Sequence, residues 1–377
     1  MAHLLTLPLE ILHIICANLC RHCTSETVEP TEPVVSIEPI DPEKLHEACF
    51  KGAKAFVMDN ARVRIAALSA MTQTSFTAII LPFGANLEIL HLELDQGRKF
   101  PSCEPGSLPR LKELVVKSWH RGRPADITVI ASVLIAAPAL ERLGGLVVYC
   151  NADWETPQPP IHEGVKEIWL ERCAVSAEGV TALLGLFSRL EAFTYEPDGE
   201  NYEVEVDEAS PSEIGKAILL CQECRFLSLD FTDSSYGHQT SPTDQLGSLA
   251  ELKKLQKFRV KGLPLLCTTL WEHTLWIGLL GVKIYEMLLA LITELEVTRL
   301  KIIIFDDMLE LSRVASQRFP YLKHVSIDGV EQDWQCMLWD SQHGMGLKRI
   351  NELRQAFRQS GVELLMGDFG KYRCWLT

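Results

Sequence analysis

Two His-Glu dipeptides are the first places where this sequence could do chemistry. His46-Glu47 and His162-Glu163 each begin like the helix of a zinc hydrolase, where two imidazoles one turn apart hold the metal and the glutamate acts as base. Neither has a second histidine four residues on, so neither can present two imidazoles to one metal from one helix face. Two C-x-x-C pairs follow, Cys20-Arg21-His22-Cys23 and Cys221-Gln222-Glu223-Cys224. They lie roughly 200 residues apart, far outside the spacing at which paired knuckles signal zinc. The first has Cys16 and His22 beside it and reads either as a lone metal site or as the end of a helix. The second straddles a helix end and a strand, where Cys serves as a small buried hydrophobe. The nucleophile elbow G-x-S-x-G, the phosphate loop G-x-x-x-x-G-K-[ST] and the dinucleotide fingerprint G-x-G-x-x-G are all absent from the sequence.

Other stretches suit binding rather than catalysis. Glu196 to Glu208 carries seven acids and no base, with Tyr202, Val204 and Val206 alternating among them. Such a run is either a docking strip for a basic partner or a solvated loop or edge strand that charge protects from aggregation. The aromatic segments around Trp271 and Trp276, and around Trp334 and Trp339, read as core packing or as binding hot spots. Cys374-Trp375-Leu376-Thr377 puts a cysteine at a prenylation position, but Thr is not a usual last residue and no polybasic stretch precedes it.

Composition narrows the partners. The chain has 377 residues, with 36 basic against 50 acidic side chains and a formal charge of −14, which argues against nucleic acid or an anionic membrane as its main partner. Twelve cysteines are too few for a disulfide scaffold at this length, and Cys16, Cys173, Cys221 and Cys267 sit inside apolar runs. Buried thiols in a reducing compartment, cytoplasmic and/or nuclear, are expected. The sequence holds no Asn-x-Ser/Thr acceptor, and its apolar start lacks a basic n-region, so a secretory signal is not expected. The greasiest window, Leu275 to Leu291, contains Lys283 and Glu286, which argues against a membrane span.

The elements that would position these residues fall into two styles. At the start, Leu7-Pro8-Leu9-Glu10 reads as a helix N-terminus, with Pro8 at the first helical position and Glu10 placed to reach back to the Leu7 donor. Ile11, Leu12, Ile14, Ile15, Cys16 and Leu19 then cover most of the helix circumference, which predicts burial on two sides. Thr24 to Pro42, rich in Glu, Pro, Thr and Ser, reads as a flexible insertion at about 24–41. Asp41-Pro42 opens a second helical pattern toward Met58, and Ile65, Leu68, Met71, Thr72, Ser75, Phe76, Ile79 and Ile80 predict a third, ended by Pro82.

From Asn86 a Leu-x-x-Leu-x-Leu pattern takes over. Leu87, Leu90, Leu92 and Leu94 make the clearest copy. Leu111, Leu114 and Val116 follow, then Leu140, Leu143 and Leu146, then Val165, Ile168 and Leu170 with Cys173. Further copies lie at Leu190-Phe193-Tyr195, Cys224-Leu227-Leu229 and Leu255-Phe258-Val260, with weaker ones at Leu300-Ile302-Ile304, Leu322-Val325-Ile327 and Val362-Leu364-Met366. The first starts are about 24 to 29 residues apart, near the leucine-rich repeat range. Helix starts alternate with them. Asp126 caps Ile127 to Ala136, Ser176 precedes Val180 to Phe187, and Ser210-Pro211-Ser212-Glu213 and Ser241-Pro242-Thr243-Asp244 both read as capping boxes. Leu265 to Leu295 reads as mostly helical, and Leu347, Ile350, Leu353 and Phe357 mark a last amphipathic helix.

Leu7-Pro8-Leu9-Glu10-Ile11 with Ile15 and Leu19, then Leu68-Ser69 and Phe76-Thr77-Ala78-Ile79 leading into Leu81-Pro82, resembles the F-box of proteins that filamentous fungi encode in large numbers. In the usual F-box the two halves lie close together, whereas here the insertion and an extra helix separate them. The expected fold is α/β: a small α-helical F-box-like module over 1–82, then an irregular leucine-rich-repeat-like α/β solenoid over 83–377, less regular after about 263. The resemblance implies a substrate-recognition subunit of an SCF-type cullin–RING ubiquitin ligase. Leu7, Pro8, Ile11, Ile15, Leu68 and Phe76 would contact a Skp-type adaptor, a cullin scaffold would join through it, and the repeats would hold a protein substrate. It implies no cofactor, no metal and no catalytic residue in this chain. The alternative is a repeat protein that binds a partner without any ligase.

Overall fold

The computed structural model describes residues 65–69, 85–94, 103–118, 124–152, 159, 161–197, 207–231, 246–261, 284–298, 304–328 and 345–366. The first helix, the insertion, the second helical pattern, the box at Ser241, Cys267, the tryptophans at 271, 276, 334 and 339, and Cys374 lie outside the described residues.

One local device recurs. In seven copies the first apolar residue closes a tight turn by donating its N–H to the carbonyl three residues back: Leu111 to Leu108, Leu140 to Ala137, Leu190 to Phe187, Cys224 to Cys221, Leu255 to Leu252, Ile292 to Leu289 and Leu322 to Phe319, at 2.9–3.3 Å. Over the next two residues the chain locks to its predecessor. Lys112 and Glu113 both donate to Glu88 O; Glu141 and Arg142 to Lys112 O; Glu191 and Ala192 to Lys166 O; Arg225 and Phe226 to Glu191 O. Gln256 and Lys257 repeat this on Arg225 O, Thr293 and Glu294 on Gln256 O, and Lys323 and His324 on Thr293 O. A carbonyl has two lone pairs, so one oxygen can set the register of a whole strand against its neighbour.

The chain forms two compact units, Met1–Val148 with Trp154–Pro160, and Tyr149–Asp153 with Ile161–Thr377. In the first, β1 (Ile65–Ser69), β2 (Ile89–Leu94), β3 (Glu113–Ser118) and β5 (Arg142–Leu146) run parallel in chain order. The registers Leu68↔Leu92, Leu92↔Val116 and Val116↔Gly145 keep motif positions level. Between β3 and β5, the two-residue strand β4 (Ala125–Asp126) leads into a 3-10 turn (Ile127–Ile130) and helix α1 (Ala131–Ala136). Asp126 caps this run as expected, accepting from Thr128 N at 2.9 Å. Leu87, Leu90, Leu111, Leu114, Leu140 and Leu143 have no exposure. Each such burial contributes about 1.5–3 kcal/mol.

Two expectations are corrected in this unit. The predicted helix over Ile65 to Ile80 is a strand at Ile65–Ser69. Val63, Ala66 and Leu68 stand one repeat length before Leu87, Leu90 and Leu92, so this stretch pairs as one more copy of the ladder. Leu146 is also not the third inward residue of its copy. It pairs with Lys117, and Gly145 takes the inward position opposite Val116.

The second unit opens with β6 (Val148–Cys150), whose Tyr149 and Cys150 pair with Ala174 and Val175. Its main sheet is β7 (Glu167–Val175), β8 (Ala192–Pro197), β9 (Phe226–Asp230), β10 (Lys257–Lys261), β11 (Glu294–Thr298), β12 (His324–Asp328) and β13 (Glu363–Met366), all parallel and in chain order. The returns carry α2 (Ala177–Gly185), α3 (Pro211–Ile218), the one-turn α4 (Ile284–Met287), α5 (Ile304–Arg318) and α6 (Met345–Ser360). Ser176 caps α2 through Gly179 N, and Ser210 with Glu213 completes the capping box that starts α3. Ile350, Leu353 and Phe357 form the buried stripe of α6, as their spacing predicts.

The copy expected at Leu300-Ile302-Ile304 is misplaced. The strand is β11, with Ile292, Leu295 and Val297 buried, and Ile304 already begins α5. Of the stretch Leu265 to Leu295 only residues 284–295 are described, and there α4 spans four residues and β11 begins at Glu294. The motif was present in Ile292-x-x-Leu295-x-Val297, masked by apolar neighbours that blur a period of two into one of 3.6.

Both units therefore share one architecture, a leucine-rich-repeat-like α/β stack of parallel strands in sequence order. Close backbone contact holds the returns in place. A Cβ on Gly215 of α3 would lie 2.0 Å from Leu246 O, and one on Gly179 of α2 would lie 2.1 Å from Cys150 O. Gly215→Ala is expected to destabilise by at least about 1–3 kcal/mol, since backbone cannot yield as a side chain can. Ser210→Ala should cost about 1 kcal/mol through the lost cap. Chemical denaturation of each variant measures both.

Candidate binding surface

The repeats divide side chains by parity. Along each strand the motif residues point into the core, so the residues between them must appear on the other face of the sheet. Register then sorts those outward residues into rows that cross the strands.

In the first unit one row is Ile89, Glu113 and Arg142, and the next is His91, Val115 and Gly144. Glu113 is bracketed: Arg142 donates Nε and Nη2 to its Oε2 at 2.8 and 2.7 Å, and His91 Nε2 lies 3.4 Å from Oε1. In the second unit the first row runs Glu167, Ala192, Phe226, Lys257, Glu294, His324, Glu363. The second runs Trp169, Thr194, Ser228, Arg259, Glu296, Ser326, Leu365. Strand β10 brings three cations to this face, and each reaches a neighbouring acid. Lys257 Nζ lies 2.8 Å from Glu294, Arg259 Nε 2.6 Å from Glu296 and Lys261 Nζ 3.2 Å from Asp230. His324 Nδ1 meets Glu363 at 3.0 Å on the last pair of strands.

These pairs are partly solvated, so each contributes only about 0–1 kcal/mol. They neutralise β10 to β13 rather than hold the sheet together. The opposite end differs: β7 presents Glu167 and Glu171 with a half-buried Trp169 between them, and its base, Arg172, lies at the bulge that follows Glu171.

Among the described residues that suggested chemistry, His162, Cys221 and Cys224 serve the fold. His162 is buried beside Phe187, 6.4 Å between ring centres, and its Nδ1 accepts from Gly164 N at 3.3 Å. Cys221 and Cys224 occupy the turn positions held by Leu252 and Leu255 in the next copy, and Cys224 N donates to Cys221 O at 3.0 Å. Burial pushes both thiols up to about 12, helped at Cys221 by the neighbouring Cys224. Both are therefore neutral near pH 7 and are poor nucleophiles or metal ligands. Among the described residues no group of three His, Cys, Asp or Glu side chains could hold a metal, and no helix is long and apolar enough to cross a membrane. A polar groove between α5 and α6, of about 390 Å³, has Arg313 and Glu352 among its lining residues and no histidine.

Of the residues proposed to contact a Skp-type adaptor, Leu68 lies on β1, level with Leu92. Leu7, Pro8, Ile11, Ile15 and Phe76 lie outside the described residues. Trp169, Glu167 and Glu171 were missed in the sequence because they occupy the unconstrained positions of the repeat. Their signal was available only as the residues between Val165, Ile168 and Leu170.

No family model matches the chain, and no curated protein matches it. Among solved structures, an internalin from Listeria monocytogenes str. 4b F2365 is similar, with 11% identity over 85% of this chain and 90% of that chain and a TM-score of 0.36. So loose a superposition adds nothing to the register and turn geometry above, on which the repeat-like fold rests.

The outward pairs should be weakly coupled. A double-mutant cycle on Arg259→Met and Glu296→Met is expected to give a coupling below about 1 kcal/mol in denaturant titrations, falling further in high salt.

Proposed function

We propose that this chain is a non-catalytic adaptor whose repeat face binds a protein partner. The observation that carries this reading is the second unit's seven-strand sheet, which turns motif residues inward and leaves rows of charged, aromatic and small side chains outward. A parallel sheet with such a face is a broad, rigid surface that pays little ordering cost on binding. In the fuller form of the proposal, the F-box-like start docks on a Skp-type adaptor and a cullin scaffold, and the partner is a substrate for ubiquitin transfer. The chain would then act by positioning, raising the effective concentration of a substrate lysine near the charged conjugating enzyme. The resemblance of Leu7, Pro8, Ile11 and Ile15 to an F-box supports this form.

A second reading, a partner-binding scaffold without ligase subunits, is favoured by Ile65–Ser69. That stretch belongs to the second half of the F-box-like pattern and is a strand in register with β2.

Affinity capture of the full chain from its native host separates the two. The ligase form expects cullin and a Skp-type adaptor with the wild type, and their loss in Leu7→Ala/Pro8→Ala with other partners retained. Partners recovered without cullin from the wild type would establish the scaffold reading instead.

A further inference from the structure

The outward face of the second unit is electrostatically lopsided, and the imbalance specifies what it can receive. Every cation on β10 is engaged by Asp230, Glu294 or Glu296. On strand β7 the two acids have no partnering cation at the alternate positions: Glu167 and Glu171 are exposed and flank Trp169 along one strand, while the strand's base, Arg172, stands off that alternation at the bulge after Glu171. Successive outward residues of a strand are about 6.6–7 Å apart, the same spacing as alternate side chains of an extended peptide laid over it. The indole also has room beside it. Its cross-strand neighbours are the short Thr194 and then Ser228, whereas Arg259 on β10 faces Glu296.

We propose that β7, through Glu167, Trp169 and Glu171, docks an extended basic segment of the protein partner, with one arginine or lysine over the Trp169 ring and cations at alternate positions against the two carboxylates. The inference rests on the partner-binding reading of this sheet face and adds the chemistry of the partner. An aromatic face attracts a cation by its quadrupole, and carboxylates on either side raise the local concentration of positive charge while repelling acidic chains. The acidic sequence from Glu196 to Glu208 follows directly on β8, the strand paired with β7. It extends the same sign of charge along the chain.

The test uses the full chain and a fluorescently labelled peptide of roughly nine residues with alternating Arg and Ser, long enough to span the β7 positions. Fluorescence anisotropy should show binding that weakens as salt rises from about 0.05 to about 0.3 M, with none for the counterpart peptide of alternating Glu and Ser. Glu167→Gln/Glu171→Gln should lower affinity at least about tenfold, and Trp169→Ala at least about fivefold, while the charge-matched Glu178→Gln/Glu251→Gln, at exposed acids away from this face, should leave it within about twofold. Circular dichroism and a thermal melt confirm that each variant is folded. If the peptide does not bind, or if both double variants lose affinity equally, the proposal is overturned, since the second outcome is mere attraction to an acidic chain. Neither result depends on cullin capture, so the ligase reading stands or falls separately.

Discussion

The fold depends on one recurring hydrogen-bonded constraint, a carbonyl ahead of a strand that accepts from two successive amides of the next copy, as those of Glu88, Lys112, Lys166, Glu191, Arg225, Gln256 and Thr293 do. Fixing a strand in a parallel sheet by its ends alone would leave register free to slip, and a slip of one residue would turn every leucine to solvent. The double acceptor prevents this before the strand begins. The tight turn that precedes it places the first apolar residue of each copy in the core, so turn, register and burial are set within about six residues. The returns can then vary. They range from a 3-10 turn with a short helix to the 16 residues of α6 without disturbing the strands.

That separation explains how Cys221, Cys224 and His162, which stood out in the sequence, come to serve turns and packing. Cys221 and Cys224 sit three apart because the turn requires two apolar residues three apart, and Cys satisfies it as Leu252 and Leu255 do. His162 is likewise consumed in packing against Phe187. Burial pushes the Cys221 and Cys224 thiols further up and keeps them protonated. Function is left to the outward parity.

Legibility in the sequence follows the same division. Copies from Leu87 through Val260 were readable because their buried residues recur with a period of two and leave a strong trace, even where Tyr195 or Cys224 replaces an aliphatic residue. The copy at Ile292 was lost because the apolar run Met287 to Leu291 leads straight into it, although Glu294 and Glu296 alternate with Leu295 and Val297, and Ile65–Ser69 was read as helix because Ala66, Ala67 and Leu68 suit either structure. The caps at Asp126, Ser176 and Ser210 were legible for a local reason: a hydroxyl or carboxylate bonding an amide two or three residues on needs no tertiary context. The face itself was not legible. Glu167 and Glu171 become neighbours of Ala192 and Glu196 only through register, and no run of sequence displays that adjacency.

Register also decides how charge is distributed once the strands are stacked. Outward residues cost the fold little, so a strand can carry three cations, as β10 does, provided its neighbours answer them. Those pairs are nearly neutral in stability, yet they cancel long-range fields over β10 to β13. In a chain with a net charge of −14, cancelling the field at one end of the sheet concentrates recognition at the other, where Trp169 supplies contact area and the carboxylates supply sign. The weak ion pairs therefore matter for selectivity rather than for strength: by removing competing attraction elsewhere on the face, they leave an incoming basic segment one favoured place to settle.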